Sequence, residues 1–317
     1  MADSTTSITM GSKVKVITNG KRRGFFWDFT VRLFREKPLG AFGAIIFLVM
    51  LFTGIFADWI APYGYNDISP VYMLKPPSAK FWLGTDNLGR DLFSRIVFGA
   101  RLSMIVGFSA TTLSIIISTV IGSTSGYFGG KFDLIVQRFV DAWMVFPGLV
   151  ILIVAVSIVG PGMWQIIIIL SLQYGIAGSR IIRGATLSTK ENMYVHAANS
   201  IGASHFRQLW RHILPNIMAP IIILFTTRLA AVILAEATLS FLGLGIPPPA
   251  PSWGGMLSGA GRSYMLRAPM LAIWPGLALT IAVYGINVFG DAMRDLLDPR
   301  LRGGIGSYGA MPTKPNP

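Results

Sequence analysis

Few residues in this chain are equipped for chemistry. His196, His205 and His212 are the only imidazoles, and cysteine is absent, which excludes disulfides, thiolate metal sites and cysteine nucleophiles and leaves the redox compartment open. On one continuous helix His205 and His212 share a face about 10 Å apart while His196 points the other way, so a single ion cannot bridge all three. No serine stands with a histidine and a carboxylate in an arrangement that would activate it. The stretch nearest to a phosphate-cradling loop, Ser125 to Phe132, has Ser125 where the first glycine belongs and Phe132 after Lys131. The pattern therefore predicts neither ATP hydrolysis nor a resident metal or cofactor.

Two further ionisable residues stand out by their setting. Arg228 falls about 18 Å into an apolar run, at a depth where a bilayer charges about 2.5 to 3.5 kcal/mol for a cation. Glu236 follows eight positions later, on nearly the same helical face but about 12 Å away, too far for a direct ion pair. Either Arg228 lines a pathway and attracts a carboxylate or other anion, with Glu236 beside it, or it pairs with Asp141 or with a second subunit.

The elements that must carry these residues belong in lipid. Hydrophobic residues make up 52% of the 317 and charged residues 13%, about half the usual charged share of a soluble domain. Apolar runs of bilayer-crossing length recur at about 39–60, 102–121, 140–159, 163–179, 217–239 and 271–289, which makes six expected helices. The abundant glycine and alanine suit close helix contacts within a bilayer. The formal charge of +13 would point to nucleic acid in a soluble chain, but here the cations sort by side: 19 Lys and Arg flank the spans on the amino-terminal side and 7 on the other. Both termini are accordingly expected in the cytoplasm. The basic start of the chain lacks the pattern of a cleaved signal peptide. Residues 1–23 and 304–317 are read as disordered cytoplasmic ends, and 24–303 as one membrane domain.

Two segments on the far side are long, Pro62 to Arg101 and Gly243 to Pro269. The second carries Pro247, Pro248, Pro249 and Pro251, a density that predicts a stiff connection without helix. The inner segment 180–215 alone has helical patterning. Ala198, Gly202, Phe206, Leu209 and Ile213 fall within about 80° of arc on an ideal helix, with Arg207, Arg211, Ser200 and Ser204 opposite. One helix, or two with a turn at Gly202, satisfies this pattern. So do docking onto a soluble partner and lying on lipid headgroups.

That inner segment reads His196-Ala197-Ala198, three residues, Gly202, then an apolar stretch ending in Leu214-Pro215. It resembles the EAA loop by which importer permeases dock onto ATPase subunits, with His196 standing where the family has Glu. Three other stretches agree. They are Leu83 to Asp91 with Ser94, Arg95, Gly99 and Arg101; Ser240 to Gly245 followed by Pro247, Pro248, Pro251, Ser252, Trp253 and Gly254; and Gly290-Asp291 with Arg294, Asp295, Asp298, Pro299 and Arg300. Together, over about residues 25–303, the chain is similar to the dipeptide, oligopeptide and nickel permeases of binding-protein-dependent ABC importers.

The resemblance implies an all-α polytopic protein with the type I ABC importer permease fold in the cytoplasmic membrane, forming half of a translocation pathway. It implies a second homologous permease, two ATPase subunits that hold ATP and Mg²⁺, and an extracytoplasmic substrate-binding protein. It places the ATPase contact on His196, Ala197, Ala198, Gly202, Arg207, Leu214 and Pro215, with Pro215 ending the coupling helix. Transport would proceed by alternating access, for peptides, nickel complexes or oligosaccharides. A self-sufficient secondary transporter, which would show inverted repeats and buried ionisable pairs, and a non-transporting scaffold are the alternatives.

Overall fold

In lipid a backbone finds hydrogen-bond partners only within itself, so uncharged apolar runs fold as helices. The computed structural model describes residues 25–297, and these contain helices and one isolated β-bridge, Thr85 to Asp91, but no strand. The ends expected to be disordered, 1–23 and 304–317, and the motif residues Asp298, Pro299 and Arg300 lie outside the described residues.

The helices are α1 (Phe25–Glu36), α2 (Pro38–Ile55), α3 (Ala57–Ile60), α4 (Leu92–Phe128), α5 (Gly130–Val145), α6 (Gly148–Val159), α7 (Met163–Lys190) and α8 (Met193–Ser200). They continue with α9 (His205–Phe241), α10 (Trp253–Met256) and α11 (Met270–Leu297). Five of them, α2, α4, α7, α9 and α11, are long and apolar enough to cross a membrane, and α5 with α6 makes a sixth if that bent pair is one span.

Several expected boundaries move, each for a local reason. The first span stops at Ile55 instead of residue 60, because Arg101 takes the carbonyls that another helical turn would have used. Its Nε donates to Gly54 O at 2.9 Å and its Nη2 to Ile55 O at 3.3 Å. The same guanidinium pairs with Asp58 at 2.7 Å and holds that exposed carboxyl below the usual aspartate range, chiefly through the hydrogen bond. The third span is not one helix over 140–159. Pro147 has no N–H to give, Phe146 before it is extended (φ −80°, ψ 140°), and the chain turns by 89°. Residues 180–190, expected in the inner loop, continue α7, and residues 92–101, expected in a far-side loop, begin α4. Nor is the proline-rich connection free of helix: Ser252 caps α10 through Gly255 N (3.1 Å), just past the last proline, and a π-helical turn, Leu257–Gly261, follows.

α4 is the axis of the bundle. Asp91 caps its start by accepting from Ser94 N (2.8 Å), and Gly129 ends it with φ 64°. Its 37 residues span about 55 Å, well beyond the roughly 30 Å of a hydrocarbon core. Along α7 it packs through small residues four apart, Ser114, Ser118, Gly122 and Gly126. A Cβ on Gly122 would stand 2.9 Å from Arg183 N, and one on Gly175 of α7 2.8 Å from the Ile117 side chain, so the two backbones meet at a distance no larger residue permits. Ser118 Oγ seals the contact by donating to Gly175 O at 2.8 Å. Val106, Ala110, Ile166, Leu170, Val232 and Leu239 form the largest core between α4, α7 and α9. Phe42, Leu48, Phe52 and Ile116 face outward, as lipid contact requires.

Candidate functional site: the two ends of α4 and the arginine between them

The end of the bundle that carries the 193–213 segment is organised by a helix stop. α8 closes on Gly202, whose φ of 79° is the left-handed conformation glycine adopts without penalty. Ala203 N donates to Ala198 O (3.0 Å) and Gly202 N to Asn199 O (2.9 Å), the paired bonds of a Schellman stop. Ser204 then caps the next helix by accepting from Arg207 N at 3.4 Å. Two helices with a turn is therefore the observed alternative.

The turn rotates the second helix away from the face drawn on an ideal one. Val195, Ala198, Gln208 and Ile213 are buried, but Phe206, expected on the packed face, is 70% exposed. Ile201 at 86% and Met193 at 87%, at the two ends of α8, are exposed as well, and so are Arg207 and Arg211 on the helix that follows. His196 and Ala197 are exposed, and His196 Nε2 lies 3.9 Å from the Glu191 carboxylate within the same chain. Leu214 packs against the core and Pro215 is exposed.

Pro215 does not end the helix expected to stop there. Helical structure runs on from His205 to Phe241, a π stretch, Gln208–Ile213, leading into a 3₁₀ turn, Leu214–Ile217, that contains the proline. Leu214 N reaches back five residues to Leu209 O, the wider turn that lets the proline ring pass. No trio of metal-ligating side chains converges among the described residues.

Residues distant in sequence hold this segment to the bundle. The Tyr127 hydroxyl at the end of α4 lies 2.8 Å from His205 Nδ1 and 3.0 Å from Gln208 Oε1, and Lys190 Nζ at the end of α7 donates to Tyr127 O at 2.7 Å. A cavity of about 280 Å³ lies among these groups, lined also by Val195, His196 and Asn199. Sequence reasoning missed Tyr127 and Gln208. Their spacing of 81 positions carries no local period that could have joined them.

Arg228, on α9, is half-buried, with its guanidinium 5.5 Å from the Tyr174 ring centroid, a cation–π distance. It makes no ion pair with any described residue. Asp141 instead pairs with Arg180 and, at 3.7 Å, with Arg138. Next to that pair Arg183 clamps Asp133 at 2.7 and 2.5 Å, so carboxylates of α5 bind the carboxyl-terminal half of α7 and none pairs with Arg228. Glu236 is enclosed, with Oε1 accepting from Ser240 Oγ at 2.7 Å and Oε2 without a partner among the described residues. The structure does not bring Arg228 and Glu236 together.

At the opposite end of α4 two of the sequence motifs meet. Asp86 accepts from Arg90 Nε at 2.7 Å and lies 3.6 Å from Arg95 Nε, and Arg95 also donates to Tyr65 O at 2.8 Å. Trp253, fully buried, donates from its indole N–H to Ile96 O at 3.1 Å and lies over Gly99, where a Cβ would stand 2.7 Å from the indole. Between these motifs is a cavity of about 470 Å³.

Comparison with known proteins adds the family. Residues 118–303 match the binding-protein-dependent transport system inner membrane component, and residues 26–77 match the N-terminal TM domain of oligopeptide transport permease C. The glutathione transport system permease protein GsiD of Escherichia coli O157:H7 is 39% identical over 278 residues, 87% of this chain and 91% of that protein. The dipeptide transport system permease protein DppC of Alkalihalophilus pseudofirmus is 37% identical over 276 residues, 87% of this chain and 90% of that protein. The fold is that of a chain in a solved structure of the MetNI methionine ABC transporter in inward-facing conformations, with a TM-score of 0.52 at 17% identity over 64% of this chain and 96% of that one. The chain thus belongs to the binding-protein-dependent transport system inner membrane components, as a multi-pass membrane permease that works with ATPase subunits and a substrate-binding protein and is not itself an enzyme.

Proposed function

We propose that the chain forms half of the pathway by which an ATP-driven importer moves peptides or related small solutes across the cytoplasmic membrane. A second homologous permease supplies the other half. Two ATPase subunits hold ATP and Mg²⁺, and an extracytoplasmic binding protein delivers cargo. Both termini are cytoplasmic, and no nucleic acid takes part. The 193–213 segment is the contact with the ATPases, through the exposed Met193, Ile201 and Phe206, with His196, Ala197, Ala198, Gly202, Arg207, Leu214 and Pro215 shaping or flanking it.

The observation that carries this reading is the exposure of Ile201 and Phe206 on either side of the Schellman turn at Gly202, with Met193 exposed at the start of α8 and Arg207 and Arg211 on the helix that follows. Apolar groups so placed on an ordered turn are covered by a partner. Replacing Ile201→Asp together with Phe206→Asp is expected to reduce ATPase subunits recovered with the purified permease about tenfold or more, as loss of apolar interface anchors does. Full recovery, or loss of lipid binding alone, would defeat the docking assignment in favour of a headgroup contact.

Arg228 is read as a pathway residue that attracts an anionic group of the cargo, because it is a half-buried cation with no carboxylate partner among the described residues. Glu236 stands behind it on the same helix, enclosed with Ser240. The relatives named for glutathione and dipeptide transport point to a peptide carboxylate as that anion. In competition uptake, Arg228→Gln should narrow the preference for dipeptides with a free over an amidated carboxyl terminus by about tenfold, the scale of one charge-assisted hydrogen bond. An unchanged preference removes Arg228 from the pathway.

A further inference from the structure

The docking segment must transmit motion as well as attach, and among the described residues its side-chain hydrogen bonds into the bundle all go to Tyr127. Gln208 is buried, and its Nε2 donates to Ala203 O at 2.8 Å and to Asn199 Oδ1 at 3.1 Å. A backbone carbonyl only accepts, so the amide cannot be turned round, and Oε1 must face the Tyr127 hydroxyl. Tyrosine has a single hydroxyl proton. If that proton goes to Gln208, the Tyr127 oxygen accepts from His205, which fixes the Nδ1–H tautomer. If it goes to His205 instead, Gln208 Oε1 is left buried with no donor, at a cost the first arrangement avoids.

The result is a directed chain, His205 to Tyr127 to Gln208, with both histidine and glutamine on the docking segment and the tyrosine on α4. It is the last polar contact of α4 before Gly129 releases the chain. From Tyr127 the helix runs about 55 Å without a break, locked to α7 by Gly126, Gly122 and Ser118 and anchored at its far end by Asp91, Arg95 and the Trp253 contact over Gly99.

We propose that the Tyr127 hydroxyl is the joint by which the docking segment moves α4, and through it the Asp86–Trp253 end of the molecule; Tyr127 is a positioning residue that touches neither cargo nor nucleotide. This rests on the docking reading above, and a test has to separate the two, because adjacency alone does not demonstrate coupling.

The absence of cysteine makes the chain suited to site-directed spin labels. Val71→Cys and Leu266→Cys place labels on exposed residues of the two connections at the far end. In the complete complex with its second permease and ATPase subunits, ATP is expected to shift the distance between these labels. With Tyr127→Phe the ATPase subunits should remain bound, while the fraction of complexes shifted by ATP falls about three- to tenfold, the range one buried hydrogen bond provides. His205→Asn, which keeps a donor near the Nδ1 position, should preserve the shift, and His205→Leu should lose it.

The proposal is overturned if Tyr127→Phe responds like the parent, if it sheds the ATPase subunits, if the two His205 variants behave alike, or if ATP moves nothing at the far end of the parent. Failure of the docking reading appears elsewhere, as full ATPase recovery by the Ile201→Asp, Phe206→Asp variant.

Discussion

The two ends of α4 solve opposite problems. At the Trp253 end buried charges are paired within the chain: two arginines converge on Asp86, and the Trp253 indole is buried over Gly99 with its N–H on Ile96 O, while Val71, Trp82 and Leu266 on the connections stand exposed. At the His205 end the polar groups are likewise answered internally, by Tyr127, Gln208 and Lys190, but the apolar ones are not, and Met193, Ile201 and Phe206 are left in the open. The two ends differ in what ties them: buried charge at one, hydrogen bonds between mostly neutral groups at the other. Removing one partner of a buried ion pair leaves an uncompensated charge, whereas removing one neutral hydrogen bond costs far less.

The comparison breaks most readily at Asp86. Asp86→Asn leaves Arg90 and Arg95 buried without their countercharge, a loss of about 3–5 kcal/mol, expected as a marked fall in the melting temperature of the detergent-purified protein. A melting temperature equal to the parent's would show that the Trp253 end is not held by charge. Gly202→Ala should cost about 1 kcal/mol, since its φ of 79° strains any residue with a Cβ. Its larger effect belongs to assembly: Ile201 and Phe206 are re-aimed, so ATPase recovery falls while the melting temperature hardly moves. Equal loss of both would erase the distinction between the ends. The smallest change is Asp58→Asn. Because the hydrogen bond from Arg101 lowers the Asp58 pKa, its stabilisation is present at neutral pH and fades as pH falls through the lowered value. The melting difference between parent and variant should therefore vanish in acid, and one that grew in acid would contradict the pairing with Arg101.

Much of the helical plan was legible because hydropathy is a property of consecutive residues. α4, α7, α9 and α11 contain the expected spans and α2 overlaps the first, and the glycine stop at Gly202 was one of two readings of the 193–213 pattern. What escaped were ends and bends. α2 stops early because of Arg101, 46 positions beyond Ile55, and Pro215 is passed within a helix because neighbouring turns widen and tighten around it. Phe206 was assigned to the packed face because the projection assumed one helix, and the φ of Gly202 turned it outward. The Arg228 alternative of pairing with Asp141 was open in the sequence, and the structure gives Asp141 to Arg180.

The sequence by itself determined that this chain is a membrane permease of helical spans and that it has no cysteine, since composition, short motifs and hydropathy are all local. Only the tertiary structure decided which surfaces are spent inside the chain and which remain to be met. Tyr127 finds Gln208, and Asp86 finds Arg95, through packing of helices whose relative placement no local period encodes, and it is that placement which sets a charge-paired end and a hydrogen-bonded one on a single helix.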